Sequence, residues 1–169
     1  SIDEDFIDTR PMANPDRNAY FGDLHVHTTY SFDAYAFGTL ATPRDAYRYA
    51  LGETLKHPAG FDMKLREPLD FYAVTDHALF LGLAAEAADT TSAFSQYEVS
   101  EPLHDLNTEG NRGITSVPAR LTIFGKFVPG ALDGMLDGSI DRAEAVRVAK
   151  SAWLDIVESA DDFNNPGTF

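Results

Sequence analysis

The sequence contains no cysteine, and this absence narrows the chemistry open to the protein. Disulfides, thiolate zinc sites and cysteine nucleophiles are all excluded. A transition-metal site in this chain must therefore be built from His together with Asp or Glu. Only five histidines occur among 169 residues, so each of them has to be weighed as a candidate ligand.

Basic residues are scarce as well. Thirteen Lys and Arg stand against 27 Asp and Glu, which gives a formal net charge of −14 at pH 7 and a pI of about 4.5. Such a chain repels phosphate backbones and anionic membrane surfaces, so its charge predicts no nucleic-acid partner. A small anionic substrate can still bind where metal ions or a local basic group reverse the field.

Long apolar runs are missing too: none approaches the ~20 residues that a membrane-spanning helix needs. The length and the 44% of apolar residues are typical of one globular domain. The chain begins with Ser1, which a removed signal peptide, a chosen expression boundary or a proteolytic end would each explain. The sequence leaves the location open between the cytoplasm and the periplasm or secretion.

The pattern of the first half predicts an α/β domain, 19–169, that follows an extended arm, 1–18. Strands are predicted at 20–26 and 69–75, and the second is nearly continuous in apolar residues, as in a strand covered on both faces. Thr42, Pro43 and Asp45 have the order of a helix start, and Gly52 ends that helix. A turn-rich tetrapeptide at 57–60 predicts a hairpin between 53–55 and 62–65.

The second half is less regular. A short helix is predicted within 78–90, a loop-rich insertion over about 84–130, and glycine turns as far as Gly138. A longer helix is predicted over 140–162. Its apolar residues are expected to lie on one buried face: Val146, Ala149, Trp153, Ile156, Val157 and Ala160.

Residues that could bind metal are concentrated at the ends of the two predicted strands. His25 and His27 lie two apart in an extended segment, so their imidazoles face the same side and can reach one ion. Asp33 is near enough to return on a loop, and Asp23 shares the parity and could orient an imidazole.

The second strand ends in Asp76-His77. Active sites of parallel α/β barrels lie at the carboxyl ends of the strands, so both motifs are expected on one rim. Either motif alone is typical of an exposed surface, but the two together favour a metal site. His57, before a proline, and His104, in the loop-rich region, are interpreted as residues outside it.

The run Asp23-Leu24-His25-Val26-His27 and the run Val74-Thr75-Asp76-His77 resemble the first and second motifs of the PHP superfamily, named after polymerase and histidinol phosphatase. The segments 20–42 and 68–78 resemble a branch of larger bacterial PHP-like proteins of unknown function. The resemblance implies a distorted (β/α)7 TIM-like barrel with two or three divalent metals, commonly Zn, Mn or Fe, that hydrolyses phosphate esters.

On matching positions, the resemblance implies that His25 and His27 hold one metal, that Asp33 and His77 hold another, and that Asp23 and Asp76 support them. The family's further ligands, a bridging Glu, more His residues and a late Asp-x-His, are absent here. We therefore expect an incomplete barrel, the N-terminal portion of a longer protein. A shortened chain, a natural fragment, or a separate chain that completes the barrel would each account for it. We expect such a portion to expose strand edges and to leave part of helix 140–162 uncovered.

The sequence thus predicts a metal-dependent hydrolase, foremost a phosphoesterase that uses a metal-activated water. Two alternatives remain open at this point. One is an amidohydrolase-like enzyme acting on C–N or carboxylic ester bonds, which would also use His-x-His on its first strand. The other is a catalytically inactive metal-binding fragment.

Overall fold

The structure, a computed structural model, describes residues 19–167, so the predicted arm 1–18 lies outside the described residues. The fold is mixed α/β, rich in helix and with few strands. Its main elements in chain order are β1 (Gly22–Val26), α1 (Phe32–Phe37), α2 (Pro43–Ala50), β2 (Leu55–Lys56), β3 (Asp62–Met63), β4 (Phe71–Val74), α3 (Leu83–Ala88), α4 (Val117–Asp137) and α5 (Arg142–Phe163). Short 3-10 helices at Phe94–Gln96, Glu98–Leu103, Glu109–Asn111 and Ile114–Ser116 connect α3 to α4.

The two predicted strands, β1 and β4, pair in parallel, with Gly22 opposite Phe71 and Val26 opposite Val74. Gly22 permits this pairing because a Cβ there would lie 2.1 Å from the carbonyl oxygen of Phe71. Parallel pairing brings the carboxyl ends of both strands to the same edge, as the two motifs predict. Within residues 19–167 no third strand joins this pair, and β2 and β3 form the separate hairpin expected near 57–60.

Helix α2 begins as the sequence predicts. The Thr42 hydroxyl accepts a hydrogen bond from the Asp45 amide, and the Asp45 carboxylate accepts one from the Thr42 amide, which closes a capping box. The box satisfies two backbone donors that the helix itself leaves unpaired. It also fixes the start of α2, which packs against both α5 and β4.

Thr42→Ala is expected to lower the free energy of unfolding by about 1 kcal/mol, because the Asp45 amide loses its acceptor. Urea unfolding followed by circular dichroism measures the change. Thr54→Ala, at an exposed residue directly before β2, is the matched control and should stay within about 0.5 kcal/mol of the parent. Equal losses in the two variants would contradict a stabilising cap at Thr42.

The prediction of loops and glycine turns over 117–137 is wrong, because this segment forms the 21-residue helix α4. Its buried residues recur at spacings of three and four: Arg120, Phe124, Phe127, Ala131 and Gly134. Glycine weakens a helix locally, but it also lets helices approach closely. A Cβ on Gly134 would lie 2.7 Å from Ile140 in the turn after α4, so close packing at this end of the helix outweighs the low helix propensity of glycine here.

Helix α5 confirms the predicted element but corrects its buried face. The residues that it buries are Val148, Ala152, Ile156 and Ser159. Trp153 and Val146 of the expected face are 60% and 52% exposed. Large apolar residues occur on more than one side of α5, so periodicity alone does not select the side that packs.

The main core lies between α1, α3, α4 and the 3-10 segments, with Tyr35, Phe94, Leu103 and Phe127 fully or almost fully buried. Arg120 is buried at the edge of this core and donates to the carbonyl oxygens of Tyr35, Ala36 and Leu106. Its guanidinium therefore fixes the carboxyl end of α1, the helix that carries Asp33. None of the helices in the described part of the chain is long and apolar enough to cross a membrane.

Candidate metal centre

The ends of β1 and β4 are tied together directly. The Thr75 amide donates to the Val26 carbonyl at 2.7 Å, and the Val26 amide donates to the Thr75 hydroxyl at 2.9 Å. Directly after these hydrogen bonds, β1 is followed by His27, and β4 is followed by Asp76 and His77. Local pairing thus sets the two motifs side by side although they are about 50 residues apart in the chain.

Three side chains from three segments converge at this edge: His27, Asp33 and His77. His77 Nε2 lies 3.0 Å from one Asp33 oxygen, and His27 Nδ1 lies 3.7 Å from the other. The rings of His27 and His77 approach edge to face, with centroids 4.7 Å apart. One potential ligand atom from each residue lies within 4.8 Å of the others, which is compact enough for one ion.

His25 extends the group through His27. The two rings are stacked, and their Nε2 atoms are 3.0 Å apart, as the shared strand parity predicts. Two nitrogens that bind one tetrahedral Zn²⁺ at about 2.0–2.1 Å lie roughly 3.3 Å apart. The His25–His27 pair therefore needs little movement to share an ion. The structure brings together all four residues expected as ligands.

The Asp76 carboxylate accepts three hydrogen bonds from the turn that follows β1. One of its oxygens accepts hydrogen bonds from the Thr28 amide at 2.6 Å and from the Ser31 hydroxyl at 2.7 Å. The other accepts from the Thr28 hydroxyl at 2.6 Å. The Ser31 oxygen in turn accepts from the His77 amide at 3.0 Å. Asp76 thereby links the backbone that carries His27 to the backbone that carries His77.

Asp23 is placed differently from the expectation that it orients an imidazole. Its carboxylate accepts a hydrogen bond from the backbone amide of His25 at 2.9 Å. The contact fixes the strand next to His25, and it also places a negative charge near Tyr72. Burial, reinforced by this charge, raises the pKa of Tyr72 to about 12.

The ionised form of Asp33 is favoured. Burial alone would raise the pKa of its carboxyl group, but the Ala34 amide and the His77 ring donate to it and more than offset that effect. The pKa of Asp33 therefore lies below its ordinary value. Asp33 presents a carboxylate to the two imidazoles at neutral pH, which is the form that ligates cations.

Sequence reasoning missed three residues that shape the centre. Thr28 and Ser31 are fully buried and hold Asp76, and the ring of Phe32 lies against that of His77 with centroids 5.5 Å apart. The available signal was the polar run Thr28-Thr29-Tyr30-Ser31 directly after an apolar strand. Tyr30 anchors this turn to α5 by donating to Asp155, and its burial together with that hydrogen bond raises its pKa.

The donor set suits a divalent transition metal. Three imidazoles and a carboxylate are ligands that Zn, Mn and Fe accept. His27 Nδ1 is buried and has no hydrogen-bond partner among the residues described, an exception to the usual pairing of buried polar atoms. The neutral ring has one nitrogen without a hydrogen, so His27 can bind an ion either through Nδ1 on the Asp33 side or through Nε2 on the His25 side. The residues present therefore fit the metal that the sequence predicts.

The other two histidines lie outside this group, as expected. His57 stacks on Phe61 in the β2–β3 hairpin, with centroids 4.2 Å apart, and is half-buried rather than fully exposed to solvent. The Nε2 atom of His104 lies 3.1 Å from the carbonyl oxygen of Ser95.

Comparison with known proteins adds one result. Residues 14–169 match the model of a family described as a protein of unknown function, DUF3604. No curated protein matches the chain, and no solved structure matches it.

Proposed function

This chain belongs to the DUF3604 family, and we propose that it carries part of the active site of a metal-dependent hydrolase of the PHP type, foremost a phosphoesterase. The observation that carries the proposal is the convergence of His27, Asp33 and His77 at the carboxyl ends of two parallel strands. His25 adds a fourth donor, within 3.0 Å of His27.

The proposed division of the ligands between two ions is the one that the resemblance to the PHP superfamily implies. Two close pairs support it: the Nε2 atoms of His25 and His27 are 3.0 Å apart, and His77 Nε2 lies 3.0 Å from Asp33. His25 and His27 would hold one ion, and Asp33 and His77 would hold another. Asp23 and Asp76 fix the backbone from which these ligands project. When bound, divalent ions lower the pKa of water and offset charge on a phosphoryl group. Bound cations would also let a chain of charge −14 accept a small anionic substrate.

We further propose that the β1–β4 pair belongs to a distorted (β/α)7 barrel that the described residues form only in part. Parallel pairing, a helical connection and ligands at the carboxyl ends of the strands support this proposal. So do the exposed apolar side chains of β1 and α5: Leu24 and Leu154 are 65% and 57% exposed. Further strands and helices, in the same protein or in a separate chain, would cover them.

Metal uptake and hydrolysis test the proposal together. The protein is dialysed separately against Zn²⁺, Mn²⁺ and Fe²⁺, its metal content is measured by plasma mass spectrometry, and a phosphomonoester, a phosphodiester and an anilide are offered as substrates. We expect at least one bound ion per chain. Because this chain carries only part of the proposed site, we expect hydrolysis of a phosphoester, its loss after chelation, and no cleavage of the anilide only when the elements that complete the barrel are supplied with it.

A double variant separates this site from adventitious metal binding. His25→Ala/His77→Ala should lose the bound ion and the hydrolysis while keeping the circular dichroism spectrum of the parent. Full metal content in the double variant would show that the ion binds elsewhere. Cleavage of the anilide alone would favour the amidohydrolase alternative. Metal binding without any hydrolysis, once the elements that complete the barrel are present, would contradict the enzymatic part of the proposal.

A further inference from the structure

Apart from the metal centre, the structure has a cleft between the carboxyl end of α1, the β2–β3 hairpin and the segment that precedes α4. Its volume is about 290 Å³, and it opens along the hairpin turn into a wider groove. Its apolar lining is formed by Leu40, Leu55, Met63 and the largely exposed Ile114. Small-molecule sites combine such walls with a few polar groups, at volumes of about 300–1,000 Å³. None of the four expected metal ligands lines this cleft.

Arg112 is the most distinctive polar group of the cleft. Its Nε atom donates to the carbonyl oxygen of Asn107 at 2.5 Å, which fixes the plane of the guanidinium. Among residues 19–167, no hydrogen bond or ion pair is found for its two terminal nitrogens. By contrast, Arg147 is paired with two glutamates and Arg44 with Asp162. Arg112 therefore presents a fixed pair of free donors in a strongly acidic chain.

Lys56 and His57 line the same cleft from the hairpin. Lys56 pairs with Asp62 at 3.0 Å, but both side chains are well exposed, so the pair is weak and its cation can be shared. His57 Nδ1 accepts a hydrogen bond from the Ala59 amide at 3.0 Å. The ring hydrogen of the neutral imidazole is then on Nε2, and the imidazole is a donor. Three donor side chains thus surround one space.

Two acidic residues also line the space, and neither opposes an anion strongly. Asp45 accepts from the Thr42 amide and hydroxyl at the amino end of α2, where the helix dipole offsets its charge. Glu109 lines only the outer groove and not the inner cleft. The inner cleft therefore combines an apolar wall with an excess of donors.

We propose that this cleft binds a small organic anion, a molecule with one carboxylate or phosphate head and an apolar body. The head lies against the Arg112 guanidinium, which suits two-oxygen groups because its terminal nitrogens are parallel donors. Lys56 and His57 supply further donors, and the body lies against Leu40, Leu55, Met63 and Ile114. Binding at this cleft requires no metal, so the proposal is independent of the proposed hydrolase centre.

Binding is tested on the chelated protein, so that the metal centre contributes nothing. Benzoate and phenyl phosphate are titrated and followed by amide NMR shifts and by calorimetry. Neutral benzamide tests the role of charge, and inorganic phosphate tests the role of the apolar body. We expect saturable binding of at least one aryl anion with a Kd of about 1 mM or tighter, and weaker binding of both controls. The shifts should centre on residues 55–57 and 112–114.

Arg112→Gln should weaken the binding about tenfold or more, and Arg112→Lys should weaken it less because the charge remains. The matched control is Arg66→Gln, on an exposed arginine outside the cleft, which should leave Kd within about twofold. A spectrum like that of the parent shows that each variant is folded. Equal binding of benzamide, equal Kd in Arg112→Gln, or no saturable binding of either aryl anion would overturn the proposal.

Discussion

His77→Ala is expected to weaken the affinity of the chain for its divalent metal by more than about 100-fold while the fold is retained. Loss of a residue that only supports a ligand already costs about 10–100-fold in affinity, so loss of a ligand itself should cost more. The His77 side chain is 46% exposed, so its truncation removes little packing. Competition with a chromophoric chelator measures the affinity, and circular dichroism reports the fold.

His104→Ala is the matched control for this prediction. His104 is a half-buried histidine whose ring, like that of His77, makes one hydrogen bond, and it lies in the 3-10 region away from the strand ends. Its removal should leave metal affinity unchanged within about twofold. If both variants bind metal like the parent, His77 is not a ligand and the proposed centre loses the residue that joins β4 to β1.

Asp76→Ala is expected to produce the largest loss of stability, about 3 kcal/mol, together with a drop in metal affinity of about 10–100-fold. The carboxylate accepts three hydrogen bonds from Thr28 and Ser31, both fully buried, and these donors would lose their acceptor. Each unsatisfied buried donor costs about 1–3 kcal/mol. Urea unfolding of the chelated protein isolates the stability term, and chelator competition measures the affinity.

Asp89→Ala provides a matched control for Asp76→Ala. Asp89 likewise accepts from the amide and hydroxyl of a threonine, Thr91, but it does so at the surface. Water replaces a lost acceptor there, so the expected cost is below about 1 kcal/mol. Equal destabilisation in the two variants would show that burial of Thr28 and Ser31 contributes nothing. Asp76→Asn keeps one acceptor oxygen and should give an intermediate loss.

Much of the candidate site was predictable because its chemistry is local. The spacing of His25 and His27 places both rings on one side of an extended segment, and the structure has them stacked. The apolar strand ends in Asp76-His77, which places the second motif at a strand end. Parallel pairing then brings that end beside the end of β1. The sequence did not predict the role of Thr28 and Ser31 as hydrogen-bond donors to Asp76. Their importance comes from burial against a residue 45–48 positions away.

The helices show where local patterns fail. The capping residues at Thr42 and Asp45 predict the start of α2 because their hydrogen bonds join neighbours in the chain. The glycines of α4 favour turns locally, but Gly134 packs so closely on Ile140 that any larger residue would clash. The stabilisation comes from packing of α4 against the turn that follows it, and helix propensity does not include such packing.

The amino-acid sequence by itself determined which residue types are available, where the two strands end, and which side chains those ends offer to a cation. Only the tertiary structure decided that Asp33 returns to meet His77, that Asp76 holds the turn after β1, and that α5 turns Ile156 inward and Trp153 outward. The physical reason is range. Strand parity and helix caps act between neighbours, whereas burial depends on which distant surface a side chain meets. Where apolar side chains lie on more than one side of a helix, the local sequence does not encode that choice.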